Sequence, residues 1–344
     1  MIMNLKNPKI VAVVVAVLIV GTLFGYEFFR LKETETIKVA TAGSLSLAFM
    51  DINEEFTKNR KIKVDYVSKG SVSIYRDLKE LGKEYQIIGL ADVTLAKKLY
   101  ELGIVVAYTK FATNEIVLAY TENSKYSSEV NADNWYQVIT RDDVKVGFSN
   151  PNMDPCGYRA LAVMALADEY YGTNSIFMSI VENNTNVVLE KIGDEIHILV
   201  PEEFEVTNLE KLVVRDKSVD LESLLEAGEI DYVFLYKTAA KDLGFKFIEL
   251  PKEINLGSLD YESNYSRVIV NLSGGETEVR ISAIVYGFGI TTYGVEDEAV
   301  REYVLFIYSD AGRSILEKHG FNILTPLFET KVEIQWLSEI QQQS

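Results

Sequence analysis

Alternating strand and helix patterns in the N-terminal third constrain the fold of this 344-residue chain most strongly. Short apolar stretches at 37–40, 62–66 and 86–90 predict strands, and each is followed by a segment of helical period. In the first such segment, 45–56, apolar residues recur at spacings of four, three and four. This β-α-β-α-β order predicts an α/β fold with a mostly parallel sheet and helices on its faces.

The same pattern continues to the C-terminus, with no Gly/Ser- or Pro-rich linker between halves. Further strands are predicted at 115–120, 145–148, 212–214, 232–235 and 282–290, and further helices at 155–171, 296–308 and 311–319. A chain of this length is expected to form two units. Since no linker separates them, we expect strands at 111–120 and 282–290 to run from one lobe into the other. Lobe I is predicted at 36–115 plus 285–344, and lobe II at 116–284.

The N-terminus carries a strongly apolar run, 10–25, in which Thr22 is the only polar side chain. Basic residues flank the run on both sides, and its length approaches that of a bilayer-spanning helix. Residues 1–30 are therefore predicted to be a membrane anchor. The alternatives are a cleaved secretory signal and a buried core helix. Either a membrane anchor or a cleaved signal would place the rest of the chain outside the cytoplasm.

Composition excludes several functions. Acidic residues outnumber basic ones by 51 to 34, giving a net charge of −17, which disfavours nucleic acid and anionic lipid as primary partners. One cysteine and two histidines exclude a disulfide framework and a metal site built from several cysteines or histidines. We expect no cofactor and a monomeric protein.

Two predicted strands end in similar glycine–serine turns, at Gly43-Ser44 and at Gly70-Ser71. Glycine lets the backbone approach a ligand closely, and the following helix N-terminus offers free N–H groups with a positive partial charge. The turns therefore predict an anion site that uses local dipoles and hydroxyl groups without a positively charged side chain. The alternative is that each serine simply caps its helix.

The stretch from Asp154 to Arg159 begins the predicted long helix. Asp154 suits the N-cap and Pro155 the first helical position, which is a complete structural explanation. Alternatively, Asp154 is a carboxylate that faces a ligand, which requires a protonated anion or one whose central metal accepts a carboxylate oxygen.

Cys156 beside a helix N-terminus could have a lowered pKa. Tyr236 follows a strand at the sheet edge where α/β proteins bind ligands.

These residues, in this order, resemble the tungstate/molybdate-binding proteins of ABC importers, the WtpA branch related to ModA. The most specific stretches are FATNEIVLAY (111–120), NWYQV (134–138), RDDVKVGF (141–148), DPCGYR (154–159), GEIDYVFLY (228–236), LPKEINLG (250–257) and IVYG (284–287). The resemblance spans roughly residues 36–325. It implies a type II periplasmic-binding-protein fold, in which two α/β lobes close on an oxyanion, and no enzymatic activity.

The resemblance also assigns roles to individual residues. It implies that Ser44 and Ser71 donate hydrogen bonds to the anion, that Asp154 ligates its tungsten or molybdenum atom, and that Tyr236 contacts it. The predicted ligand-binding set is Gly43, Ser44, Ser71, Asp154, Pro155, Cys156, Ser218 and Tyr236. The implied partners are the permease and ATPase of the importer, with the membrane contacted through the N-terminal segment.

Position 218 departs from the family pattern, which has a glutamate eighteen residues before the site tyrosine. Ser218 stands here instead. Two carboxylates would let tungsten or molybdenum expand from four to six oxygen neighbours. Either Asp216 or Asp220 substitutes, or Ser218 donates a hydrogen bond and the anion stays tetrahedral. The second case leaves sulfate, phosphate or a small organic acid as alternative ligands.

Two other functions compete with capture of an anion. An extracytoplasmic enzyme would have to use Asp154 or Cys156, for which the sequence offers no paired base and nucleophile. A sensory ectodomain would need a cytoplasmic output, but only nine residues precede the apolar run.

Overall fold

A computed structural model describes residues 34–343 as three β-sheets with α-helices on their faces. The predicted anchor at residues 1–30 lies outside the described residues. Within 34–343, no helix has both the length and the apolar character needed to cross a membrane.

The described residues form sixteen strands and eleven α-helices. The strands are β1 (Glu35–Ala42), β2 (Ile62–Lys69), β3 (Ile87–Leu90), β4 (Val105–Asn114), β5 (Ile116–Tyr120), β6 (Val146–Ser149), β7 (Val188–Ile192), β8 (Glu195–Leu199), β9 (Leu212–Arg215), β10 (Tyr232–Tyr236), β11 (Lys246–Glu249), β12 (Val268–Leu272), β13 (Thr277–Arg280), β14 (Ile284–Thr291), β15 (Asn322–Ile323) and β16 (Glu329–Thr330). The helices are α1 (Ser46–Thr57), α2 (Ser71–Lys79), α3 (Val93–Glu101), α4 (Trp135–Ile139), α5 (Pro155–Tyr170), α6 (Val219–Glu226), α7 (Lys237–Asp242), α8 (Glu262–Tyr265), α9 (Glu298–Tyr308), α10 (Asp310–Lys318) and α11 (Leu337–Gln343).

Sheet A has the strand order β15-β4-β14-β3-β1-β2, with β16 also paired to β4. β1 runs parallel to both β2 and β3, whereas β14 is antiparallel to β3 and β4. The predicted β-α-β-α-β unit is thus confirmed as β1-α1-β2-α2-β3, with α3 following it.

Sheet B has the order β11-β5-β10-β6-β9, and sheet C the order β13-β12-β8-β7. The strands predicted at 115–120, 145–148, 212–214 and 232–235 are confirmed, and all lie in sheet B. Sheet C was not predicted. Its hairpin β7–β8 turns at Gly193, which has φ +61°, so a glycine between two alternating segments was the signal available.

Helix α5 lies against strands of both sheet B and sheet C and is almost wholly buried. Its side chains from residue 160 to 168 are buried on every face of the helix, which explains why its sequence has little amphipathic pattern. This burial fixes the helix axis, and therefore fixes the position of its N-terminus at Pro155.

The chain passes from sheet A to sheet B within a single residue, because β4 ends at Asn114 and β5 begins at Ile116. It returns to sheet A between β13 and β14, across residues 281–283. The segment 255–256 ties the two crossings together. The N–H of Ile116 donates to the Asn255 carbonyl at 2.9 Å, and the N–H of Ile284 donates to the Leu256 carbonyl at 2.8 Å.

The crossing residue Glu115 is itself buried and held. Its carboxylate accepts from Asn255 Nδ2 at 3.0 Å and pairs with Lys237 Nζ at 2.8 Å. Gly257 lies so close that a Cβ there would be 2.8 Å from Glu115 Cβ. The EINLG stretch is therefore explained by the packing of this crossing, which requires glycine at position 257.

A second link between the sheets lies at His319, which follows α10. Its Nδ1 is 2.5 Å from Asp242 Oδ1, at the end of α7, and its Nε2 is 3.1 Å from Asp51 Oδ2 on α1. The hydrogen bond from His319 lowers the pKa of the Asp51 carboxyl.

Candidate functional site

The two predicted serine turns lie at the same edge of sheet A. Ala42 of β1 pairs in parallel with Lys69 of β2, and Ser44 and Ser71 each follow two residues later. Neighbouring strands lie about 4.8 Å apart, so the two turns are adjacent. The N-cap positions of α1 and α2 are Leu45 and Gly70, so neither serine acts as the simple helix cap considered above.

Each serine hydroxyl instead accepts a hydrogen bond from another strand of sheet A. Ser71 Oγ accepts from the N–H of Ala91, just after β3, at 3.0 Å. Ser44 Oγ accepts from the hydroxyl of Tyr286 on β14 at 3.2 Å. Ser44 is exposed and Ser71 is half-buried, so both hydroxyls remain reachable from solvent. Gly43 is exposed, with open space where a Cβ would lie.

Asp154 lies at the facing edge of sheet B, between the N-termini of two helices. Its Oδ1 accepts from the N–H of Cys156 at 3.1 Å, which confirms the N-cap of α5, with Pro155 at the first helical position. Its Oδ2 accepts from the N–H of Ser218, the N-cap of α6, at 2.7 Å. The carboxylate is thus held by two helix N-termini, which favour negative charge.

Gly157 explains why the start of α5 has this sequence. A Cβ at this position would be 2.1 Å from the carbonyl oxygen of Ser149, the last residue of β6. Only glycine lets the first turn of α5 lie directly on the end of β6. This close approach brings Asp154 to the edge of sheet B.

Tyr236 ends β10 at the same edge, and Arg159 on α5 contacts it. Arg159 NH1 donates to the Tyr236 hydroxyl at 2.5 Å. Burial raises the pKa of Tyr236, with the guanidinium opposing this rise, so the phenol keeps its proton. Arg159 was not among the predicted site residues. Its place in DPCGYR, four residues after Pro155 and so on the same helix face, was the signal available.

The arginine also changes the expected electrostatics of the site. The serine turns predicted an anion site without a positively charged side chain, but the sheet B edge adds a half-buried guanidinium. Burial raises the pKa of Tyr286 on sheet A, and the positive charge of Arg159 opposes this rise. Asp154 and Arg159 thus bring two opposite charges to this edge.

Cys156 does not have the reactive environment that its position suggested. Its side chain is fully buried, and its Sγ lies 3.6 Å from the carbonyl oxygen of Phe234. Burial raises the pKa of the thiol, and the charge of Asp154 raises it further. A neutral, buried thiol is a poor nucleophile, so the prediction of a lowered pKa was wrong.

The region after β9 carries several acidic side chains besides Ser218. Asp216 and Asp220 are exposed. Glu222, in the first turn of α6, is half-buried, and its burial together with the charge of Asp220 raises its pKa to about 7.

Asn114, at the crossing between the sheets, joins the two edges. Its fully buried side chain donates from Nδ2 to Thr238 Oγ1 at 2.9 Å and to the Tyr286 hydroxyl at 3.3 Å. Thr238 lies two residues after Tyr236, and Tyr286 contacts Ser44. The structure therefore brings the serine turns of sheet A and the polar groups of sheet B to the same crossing.

Other features of the described chain lie away from this crossing. A cavity of about 780 Å³ between α3, β4 and residues 324–329 contains none of the predicted site residues. Across residues 34–343, no group of three or more His, Cys, Asp or Glu side chains is arranged to hold a metal ion.

The chain is similar to known solute-binding proteins. The chain is 37% identical to a molybdate/tungstate-binding protein WtpA of Pyrococcus abyssi, over 97% of this chain and 98% of that protein. It is also 37% identical to a solute-binding protein of Staphylothermus marinus, over 92% and 91%. The fold matches a substrate-binding domain assigned to a molybdenum ABC transporter of Clostridium difficile, with a TM-score of 0.56 at 16% identity, over 84% of this chain and 99% of that one. The sequence model of the bacterial extracellular solute-binding proteins matches residues 37–322, and the chain belongs to that family.

Proposed function

We propose that this protein captures a molybdate or tungstate anion outside the cytoplasm and delivers it to an ABC importer. The anion binds between the facing edges of sheets A and B. Lobe I comprises residues 36–115 plus 285–344 and lobe II comprises 116–284, and the two lobes close on the anion. The relative of Pyrococcus abyssi, which carries this ligand in its name, supports the choice of anion.

The observation that carries the proposal is the meeting of two different edges at Asn114. One edge presents the hydroxyl groups of Ser44 and Ser71, and the other presents Asp154 and Tyr236. Ligands of open α/β sheets bind beyond the carboxyl ends of the strands, where all four residues lie. The hydroxyls donate to the anion's oxygens, and Asp154 supplies an oxygen to its metal atom.

Simple magnitudes are compatible with tight capture. A hydrogen bond to a charged group contributes about 1.5–3 kcal/mol. Five or six such donors would exceed the association cost of about 4–15 kcal/mol only in a preorganised site. The hydroxyls of Ser44, Ser71 and Tyr236 each already accept a hydrogen bond from another group of the protein, and these bonds hold the hydroxyls in place. We expect a Kd between about 1 µM and 1 nM.

The proposal includes the partners and the location. A permease and an ATPase receive the anion, residues 1–30 tether the chain to the membrane, and the protein acts as a monomer. No cofactor and no catalytic step are required.

Isothermal titration of the purified protein with tungstate, molybdate, sulfate and phosphate tests the proposal. Tungstate and molybdate should bind at least about a hundredfold more tightly than phosphate, a difference of about 2.7 kcal/mol. Absence of heat with both metal oxyanions would reject the function.

A second ligand class, sulfate or another simple tetrahedral anion, is favoured by one observation. The N–H of Ser218 contacts Asp154 Oδ2, so the residue that lacks the expected carboxylate lies beside the one that is present. With one carboxylate, the anion stays four-coordinate, and discrimination against sulfate weakens.

The variant Ser218→Glu separates the two ligand classes. It should strengthen tungstate binding and weaken sulfate binding, because a second carboxylate completes the metal's coordination and repels an anion that cannot expand. Ser223→Glu adds the same charge at an exposed position of α6 and serves as the matched control. Equal effects of the two variants would argue against a role for position 218 in ligand choice.

A further inference from the structure

The amide of Asn114 has a fixed orientation at the crossing. Its Oδ1 accepts from the backbone N–H of Glu115 at 2.9 Å, and a backbone amide can only donate. The Nδ2 group must therefore be the atom that faces Thr238 and Tyr286, with no ambiguity between oxygen and nitrogen. Asn114 is thus a donor toward Tyr286.

The direction of the next bond follows from the first. The Tyr286 oxygen accepts from Asn114 Nδ2 at 3.3 Å, so its own proton points elsewhere. Ser44 Oγ, at 3.2 Å, receives that proton. Tyr286 is 2% exposed, and this burial raises the pKa of its hydroxyl, so the proton stays on the phenol.

Ser44 therefore has its oxygen engaged as an acceptor and its own proton free. We propose that Asn114 and Tyr286 are positioning residues that hold the Ser44 hydroxyl as a hydrogen-bond donor toward the bound anion. This inference rests on the proposed function, because it requires that Ser44 contact the anion.

The same polarity recurs at the other two hydroxyls of the site. Ser71 Oγ accepts from the Ala91 N–H, and the Tyr236 oxygen accepts from Arg159, whose guanidinium has no acceptor atom. All three hydroxyls are left to donate. Three donating hydroxyls favour an anion whose oxygens only accept hydrogen bonds, such as tungstate, molybdate or sulfate. Hydrogen phosphate is disfavoured because its own O–H group needs an acceptor.

The variant Tyr286→Phe tests the inference directly. Without the phenol proton, the Ser44 oxygen is free to accept from the ligand as well as to donate. At about pH 8, the affinity for tungstate should fall about tenfold, while the affinity for phosphate, measured by displacement, should change by less than about threefold. The preference for tungstate over phosphate therefore narrows.

Tyr303→Phe is the matched control. Tyr303 is also a fully buried tyrosine near sheet A, and its hydroxyl contacts Asn53 Oδ1 at 2.5 Å, away from the site. Both variants should lose comparable thermal stability, but Tyr303→Phe should leave both anion affinities unchanged. A merely structural role for Tyr286 would lower both affinities in proportion, and that result would overturn the inference.

The variant Asn114→Asp is designed to reverse the chain of bonds. A carboxylate at 114 accepts from Tyr286, whose oxygen then accepts from Ser44, and Ser44 presents an acceptor to the anion. Tungstate affinity should fall by about a hundredfold. The negative charge of Asp at position 114 also lowers tungstate affinity by repulsion. Asn114→Asp is therefore also made in the Tyr286→Phe background, where no hydroxyl connects position 114 to Ser44.

The double-mutant comparison gives a clear decision. If Asn114→Asp lowers tungstate affinity much less when Phe stands at 286, the relay through Tyr286 is supported. Equal losses in both backgrounds would overturn it. Ser44→Ala tests the underlying contact separately. If Ser44→Ala leaves tungstate affinity unchanged while Asp154→Ala abolishes it, the inference fails but the proposed function does not.

Discussion

The two facing edges of the candidate site differ in chemistry. The sheet A edge offers neutral hydroxyl groups on two strand-to-helix turns, each bonded to a residue on or directly after a strand two places away in the same sheet. The sheet B edge carries charge, with Asp154 between two helix N-termini and Arg159 against Tyr236. The two edges therefore differ in the property of an anion to which each can respond. We propose that the neutral edge recognises any fully deprotonated tetrahedral anion and that the charged edge distinguishes among such anions.

Removal of the cation should have the largest effect. Arg159→Met removes the guanidinium from this edge and frees the Tyr236 oxygen from its donor. We expect tungstate affinity to fall by about a hundredfold or more, since a charge-assisted bond and a Coulombic attraction are lost together.

Arg159→Lys serves as the comparison for that variant. It keeps the positive charge but loses the planar fork that bonds Tyr236, so an intermediate loss is expected. Titration calorimetry measures the tungstate affinity of both variants. A change of less than about threefold for Arg159→Met would show that Arg159 does not contribute to anion binding.

Asp154→Asn should change ligand choice more than overall affinity. The amide keeps an oxygen for one helix N-terminus but no longer offers a carboxylate to a metal atom. Tungstate affinity should fall about thirtyfold, within the range of one strong charged contact, while sulfate affinity rises because a repulsive charge has gone. Parallel titrations of both anions check this, and equal losses for both would contradict the proposed role of the charged edge.

Ser71→Ala should affect all deprotonated anions alike. The lost hydroxyl accepts from the Ala91 N–H and, in the proposed site, donates to the ligand, so we expect about a tenfold loss of affinity for tungstate, molybdate and sulfate alike. The free energy of unfolding should fall by about 1 kcal/mol for the lost intramolecular bond. A change in the tungstate-to-sulfate ratio would show that the neutral edge also selects.

Glu222 provides the smallest and most local test, because it lies in the first turn of the helix that begins at Ser218. Its folded pKa of about 7 exceeds its ordinary value of 4.5, so between these values the folded protein binds more protons than the unfolded chain. Stability therefore falls as pH rises through this window, and the loss is complete above about 7. Glu222→Gln should raise the melting temperature at about pH 8 but not at about pH 4. An equal shift at both pH values would show that charge at this helix start is not the cause.

The sequence was sufficient for those parts of the site that follow directly from local pattern. Ser44 and Ser71 follow apolar strands at matching positions, and Asp154 precedes proline at a helix start, so their places could be predicted from strand–turn–helix order. Asn114 and Tyr286 could not. Their bonds join residues 242 and 172 positions apart in the chain, and no local pattern encodes such contacts.

Two errors have specific physical causes. A lowered pKa of the Cys156 thiol was predicted from its place beside a helix N-terminus alone, but the side chain is fully buried and this burial raises the pKa. Sheet C was missed because its strands are only four or five residues long, and because β7, β8 and β13 are partly exposed and have a weak apolar pattern. The domain boundaries are still a prediction, and the role of Ser218 is a prediction that the titrations of Ser218→Glu address.

The backbone carbonyls of Asn255 and Leu256 accept hydrogen bonds from both places where the chain crosses between sheets. Glu115, the crossing residue bonded to Asn255, is not among the predicted ligand-binding residues. We expect the resistance of this joint to bending to depend on residues 255–257, which are not among the proposed ligand contacts. Substitutions at 255–257 should alter how quickly an anion is released without altering which anion is chosen. Delivery rate and cargo identity could then change independently during evolution of such a carrier.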